Sequence, residues 1–164
     1  MALAATCILT AAHANSKEWT VGFDGFGPVK IGMTPKEVNK VLDVRNPDPP
    51  EVLSEECYYL VPTRRIKKIQ FMVFSGVVTR IDVDNSEIQT NLGARIGDSE
   101  ARLKKLYGAR LKIEPHFYSG TDGKYLTVLS SDGRRAIRFE TYKGRVTRFY
   151  AGRLGEVQFV EGCS

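Results

Sequence analysis

The residues best suited to chemistry lie in one stretch, where Glu114-Pro115-His116-Phe117-Tyr118 runs into Ser119-Gly120-Thr121-Asp122-Gly123. An imidazole titrates near neutral pH and can serve as a general base, a nearby carboxylate can orient it, and a guanidinium can stabilise a developing anion. Glu114, His116 and, further along, Arg138 supply these three groups and define a hydrolase reading. No nucleophile elbow, phosphate-cradling glycine loop or metal-ligand spacing accompanies them, so no catalytic residue is assigned and no cofactor is called for. Glu114 and His116 point alike on an extended segment only if Pro115 permits the alternation. A lone loop histidine is commonly a surface or capping group, and a non-enzymatic binding role is the leading expectation.

The elements that must position these groups are announced twice. Val29-Lys30-Ile31-Gly32-Met33-Thr34-Pro35-Lys36-Glu37-Val38 matches Ala94-Arg95-Ile96-Gly97-Asp98-Ser99-Glu100-Ala101-Arg102-Leu103 in the frame Ile-Gly-x-Ser/Thr. Thr34 and Ser99 predict N-caps, Pro35 suits the first helical position, and Glu37 completes a capping box. The first helix carries Val38, Val41 and Leu42 on one stripe and stops before Asn46-Pro47-Asp48-Pro49-Pro50. The second carries Leu103, Leu106 and Tyr107 and stops at Gly108.

A second match follows, Gly76-Val77-Val78-Thr79-Arg80-Ile81 against Gly144-Arg145-Val146-Thr147-Arg148-Phe149. Each glycine joins two alternating segments, 69–74 with 77–83 and 137–142 with 145–151, which predicts two hairpins. Further strands are expected at 57–61, 124–129 and 157–160. Gly32 and Gly97 are 65 residues apart and Gly76 and Gly144 are 68 apart, which implies a duplication with a small insertion. The expected organisation is α+β, with one helix-plus-antiparallel-sheet repeat over 15–90 and another over 91–164. The two half-sheets merge into one continuous sheet with helices on one face.

A capped helix followed by a hairpin-rich sheet, given twice, resembles the tandem architecture of the bacterial beta-lactamase inhibitory protein. The start Ile31-Gly32-Met33-Thr34-Pro35-Lys36-Glu37-Val38 is similar also to small outer-membrane assembly lipoproteins of the SmpA/OmlA type. The resemblance covers most of the chain in topology but only about eight residues per copy in motif. It implies a non-enzymatic binding module of the cell envelope. The inhibitor's cysteine pairs within each repeat and a convincing lipoprotein cysteine are both missing, so no functional residue is carried over from either family.

Strand parity separates two faces. Ile69, Phe71, Val73, Val77, Ile81 and Val83 share the apolar face with Ile137, Phe139 and Phe149, and the helices should cover it. The reverse face receives Gln70, Met72, Phe74, Val78, Arg80 and Asp82, then Arg138, Glu140, Tyr142, Val146, Arg148 and Tyr150. Tyr, Phe, Met and Arg are enriched at interfaces, so a partner is expected to dock on this face through Phe74, Arg138, Tyr142, Arg148 and Tyr150, with His116 and Tyr118 at the rim. The alternative is a wet sheet on which Arg and Glu pair across strands.

Compartment follows from the N-terminus and the cysteines. Residues 1–14, MALAATCILTAAHA, hold no charged side chain and end in the small-x-small site Ala12-His13-Ala14, which predicts a signal peptide. The first basic residue is Lys17, so the basic leader is missing and the start is truncated or the segment is something else. At that length it is no membrane span, which needs roughly 20 apolar residues. Thr6 before Cys7 is a poor fit to a lipoprotein signal. Cleavage after Ala14 leaves Cys57 and Cys163, which suit either a disulfide in an oxidising compartment or two free thiols in the cytosol. Across 164 residues, 24 Lys and Arg stand against 19 Asp and Glu, giving +5, yet the charges are interspersed and no basic block points to nucleic acid. The expected partner is a protein or another envelope macromolecule, met in the periplasm or outside the cell.

Overall fold

The computed structural model describes residues 19–45, 57–63 and 66–163. The predicted export segment 1–14 lies outside them. The protein is α+β and mostly strand. Three two-residue strands, β1 (Val21–Gly22), β2 (Gly25–Phe26) and β3 (Val29–Lys30), form a small antiparallel sheet. The main sheet contains β4 (Val44–Arg45), β5 (Cys57–Pro62), β6 (Ile69–Phe74), β7 (Val77–Val83), β8 (Leu111–His116), β9 (Gly120–Leu129), β10 (Arg135–Tyr142) and β11 (Arg145–Arg153). Its order is β4-β5-β6-β7-β11-β10-β9-β8, every pairing antiparallel, with β4 a short extension on the β5 edge.

The helices begin where the caps predict. α1 (Pro35–Val41) opens on Thr34, whose Oγ1 accepts from the Glu37 N–H while the Glu37 carboxylate accepts from the Thr34 N–H. The bonds that this carboxylate accepts from the Thr34 N–H and then from the Thr34 hydroxyl hold it below its usual range. α2 (Glu100–Tyr107) opens on Ser99, which accepts from Arg102 N–H, and stops at Gly108, where φ is +59°. Val38, Leu42, Leu103 and Tyr107 pack with Ile69, Phe71, Phe139 and Phe149 in the main core, joined by Val21, Phe26 and Val29 of the small sheet.

The stretches that match in sequence make similar bonds. Gly32 N–H donates to Val78 O at 2.7 Å and Gly97 N–H to Val146 O at 2.9 Å. Val78 N–H donates back to Met33 O and Val146 N–H to Asp98 O. Both hairpin turns place two residues at positive φ, Ser75 with Gly76 and Lys143 with Gly144, the geometry of a type I′ turn. Both hairpins also carry a bulge at the same step, between Met72 and Val73 and between Glu140 and Thr141. β7 and β11 meet at the centre of the sheet with Asp82 opposite Tyr150.

The bulges correct the expected faces. One unpaired residue, Thr79 or Thr147, shifts the parity of the strand before it. Val78 and Val146 therefore belong to the main core, and Val77 faces the other side with Phe74. The last expected strand is also corrected: 154–157 is a short helix, α3 (Leu154–Val157), followed by turns. Leu154 and Val157 pack against Ala136 and Tyr150 on the reverse face, so the helices do not all share one side. Missing from the expectation were the small sheet, β4 and β8.

Candidate functional site

α3 and the segment after it turn the reverse face of the sheet into a second interior. The segment is anchored by a disulfide between Cys57 on β5 and Cys163, whose Cα atoms are 5.3 Å apart. Beneath it lies Arg80, 3% exposed, with all five N–H donors engaged. Nε and Nη2 grip Asp82 at 2.6 and 2.7 Å, and Nη2 also reaches Tyr59 Oη at 3.2 Å. Nη1 donates to the carbonyls of Glu156 and Phe159 at 2.9 and 2.8 Å. The guanidinium also lies 4.6 Å over the Tyr150 ring. Burial alone lowers an arginine pKa, but the bonds to Asp82 and its charge outweigh it and hold Arg80 above the usual value. Burial and the Asp82 charge push the Tyr59 hydroxyl up to about 12.

Next to this clamp is a stacked cluster. The His116 ring stacks on Tyr125 at 4.4 Å between centroids, and the Arg138 guanidinium lies 3.8 Å from the same ring centre. Two groups that close cannot share one face, so Tyr125 is sandwiched between them. Glu140 accepts from Tyr150 Oη at 2.6 Å and faces His116 Nε2 at 3.4 Å. His116 Nδ1 accepts from the N–H groups of Tyr118 and Ser119 at 3.1 and 3.3 Å. The lone pair is therefore on Nδ1 and the proton on Nε2, pointing at Glu140. Burial, then the Glu140 charge, raise the pKa of both Tyr125 and Tyr150. Tyr118 Oη donates to Glu161, which ties the loop after β8 to the C-terminal segment and raises the Tyr118 pKa.

The structure brings together His116, Tyr118, Arg138 and Tyr150 and keeps the other expected residues apart from them. Arg138 and Tyr150 are buried, at 8% and 3% exposed, which corrects the picture of an open sheet face carrying them. The physical cause is α3, whose apolar residues need cover and find it there. Phe74 is half-buried and meets Phe159 edge-to-face at 5.9 Å. Arg148 pairs with Asp84 at 3.0 Å. Tyr142 is exposed at the hairpin end beside Lys143. Glu114 does not orient His116: its carboxylate pairs with Lys112 at 3.1 Å, and a shift in register at Pro115 separates the two residues. The carboxylate beside the imidazole is Glu140, and the His116 lone pair is already taken by two amides.

Sequence reasoning missed Tyr59 and Tyr125. Tyr125 was readable, because alternation within 124–129 puts it on the face of Arg138 once the β9–β10 register is known. Tyr59 lies in one cross-strand row with Met72 and Arg80, which shows only once two registers, β5–β6 and β6–β7, are known. Among the described residues no group of three His, Cys, Asp or Glu side chains is placed to hold a metal ion, and no helix is long and apolar enough to cross a membrane. No family model, no curated protein and no solved structure matches the chain.

Proposed function

We propose that this chain is an exported, non-enzymatic binding protein, inhibitor- or adaptor-like, that docks a protein partner over the covered face of its sheet. The observation that carries the reading is the apolar rim of that cover. Phe117 and Tyr118 are 73% and 61% exposed, and Phe159 and Val160 stand partly exposed on the segment that Glu161 ties to Tyr118. Large aromatic side chains held out on an anchored scaffold bury much area at small entropic cost when a partner arrives. Tyr142 extends the rim at the hairpin end. The cross-link between Cys57 and Cys163 supports an oxidising compartment, the periplasm or the exterior.

The same proposal takes the two halves as copies of one unit, as the resemblance to the tandem inhibitory protein implies. The paired glycine bonds, the paired turns and the paired bulges support it. A pull-down from periplasmic extract with the wild-type chain and with Phe117→Ser/Tyr118→Ser tests the binding role. A partner recovered by the first and lost with the second is expected. Equal recovery with both, or no specific partner with either, removes the rim from the proposal.

A further inference from the structure

Two arginines are buried on the reverse face, and their circumstances are opposite. Arg80 spends five donors on five acceptors. Arg138, 8% exposed, makes no hydrogen bond or ion pair among the described residues, and its Nε is sealed from solvent without a partner. The nearest acid on its strand is Glu140, whose oxygens are turned to Tyr150 and His116. Directly opposite Arg138 on β9 stands Thr127, whose Oγ1 is likewise sealed and unpaired. Removing a guanidinium from water without giving it an acceptor is unfavourable. The Tyr125 face offsets part of that cost but accepts no N–H bond in the guanidinium plane. Native structures leave few such groups unspent, and a cation held this way is complete only when an acceptor arrives.

We propose that Arg138 is the receptor for a single carboxylate supplied by an acidic segment of the docked partner. The inference rests on the binding role proposed above and names the partner's chemistry. Nε is sealed and unpaired, whereas neither Nη is sealed in that way, and the Nη pair of a guanidinium forms a two-pronged edge that a planar carboxylate matches. Glu140, two residues along the same face, makes a dianion unfavourable there. That neighbour favours a monoanionic carboxylate over the dianion of a phosphate monoester.

The test is arginine side-chain NMR on the full oxidised chain, with sodium acetate or sodium phosphate replacing chloride at constant ionic strength. The expected result is one Nε–Hε resonance, absent in Arg138→Gln and in Arg138→Lys, that moves saturably with acetate and at least tenfold more weakly with phosphate. Acetate acting no better than chloride overturns the proposal. So does phosphate saturating where acetate does not, or a response that persists in Arg138→Lys, which keeps the charge if the glutamine variant fails to fold. The pull-down separates this from the binding role: capture that depends on Phe117 and Tyr118 but survives Arg138→Gln removes only the carboxylate receptor.

Discussion

Replacing Arg80 by Met tests the whole construction of the covered face. The substitution keeps much of the side-chain volume and removes every donor. It leaves the Asp82 carboxylate, 1% exposed, with the Tyr59 hydroxyl as its one side-chain hydrogen-bond donor among the described residues, and it frees the carbonyls of Glu156 and Phe159. Breaking one side of a buried ion pair costs about 3 to 5 kcal/mol because the other charge is stranded. That is a large share of the roughly 5 to 15 kcal/mol that holds a domain together. Replacing both partners, Arg80→Met with Asp82→Leu, strands no charge; it loses the two bonds to the C-terminal segment, about 1 kcal/mol each, and leaves the Tyr59 hydroxyl without Arg80 and Asp82. The double variant is therefore expected to be more stable than Arg80→Met alone, by about 2 kcal/mol. Urea unfolding gives the three stabilities, and hydrogen exchange at Phe159 reports whether the segment has lifted. Arg80→Met costing under about 1 kcal/mol, or a double variant as damaged as the sum of the two singles, refutes the reasoning.

Removing the disulfide as Cys57→Ser/Cys163→Ser releases a cross-link spanning 106 residues, worth at most about 4.7 kcal/mol in the chain-entropy model, and chemical denaturation of the two forms checks it. Alkaline pH is expected to destabilise the fold. Tyr59 and Tyr150 have pKa values raised above the ordinary 10.0, so above pH 10 the unfolded chain binds fewer protons than the native one and stability falls as pH rises, by up to about 1.4 kcal/mol per pH unit for each tyrosine. Tyr150→Phe should make that slope shallower by up to about 1.4 kcal/mol per pH unit, measured by urea midpoints. Gly152 has φ +155°, and a Cβ there would meet Thr79 O and lie 2.8 Å from Arg80 Cα, so Gly152→Ala is expected to force β7 and β11 apart and cost more than about 3 kcal/mol in thermal unfolding.

The sheet was readable in sequence because its signals are local. Alternation over 69–83 and 137–151 and turn glycines at 76 and 144 are properties of a few neighbouring residues, and so are the caps at Thr34 and Ser99. The misplaced faces came from Thr79 and Thr147, which are good strand residues and carry no mark of being unpaired. β8 was lost to Pro115, which reads as a strand breaker and is tolerated because β8 is the outermost strand. Val157, Phe159 and Val160 read as a strand because apolar residues alone do not say which surface receives them. Their destination is fixed from a distance, by Arg80 binding the carbonyls of 156 and 159 and by the bond from Cys163 to Cys57. The candidate cluster shared that difficulty: His116, Arg138 and Tyr150 were visible as residues, but the Tyr125 sandwich and the Glu140 partner depend on register.

Arg138 offers the sharper contrast with Arg80, because the same substitution is expected to act in the opposite direction. Arg138→Met strands no carboxylate, since none lies within ion-pairing distance among the described residues. It forfeits the contact with the Tyr125 ring, worth about 0.5 to 2 kcal/mol, and relieves the burial of an uncompensated cation, which is the larger quantity. Met also keeps a flexible apolar surface against Tyr125. The net expectation is a chain as stable as the wild type or more stable by about 1 kcal/mol, the pattern of a group retained for binding at the expense of stability. Urea midpoints of Arg80→Met and Arg138→Met, measured side by side, decide it. A loss above about 1 kcal/mol in Arg138→Met would assign that arginine to the architecture of the covered face.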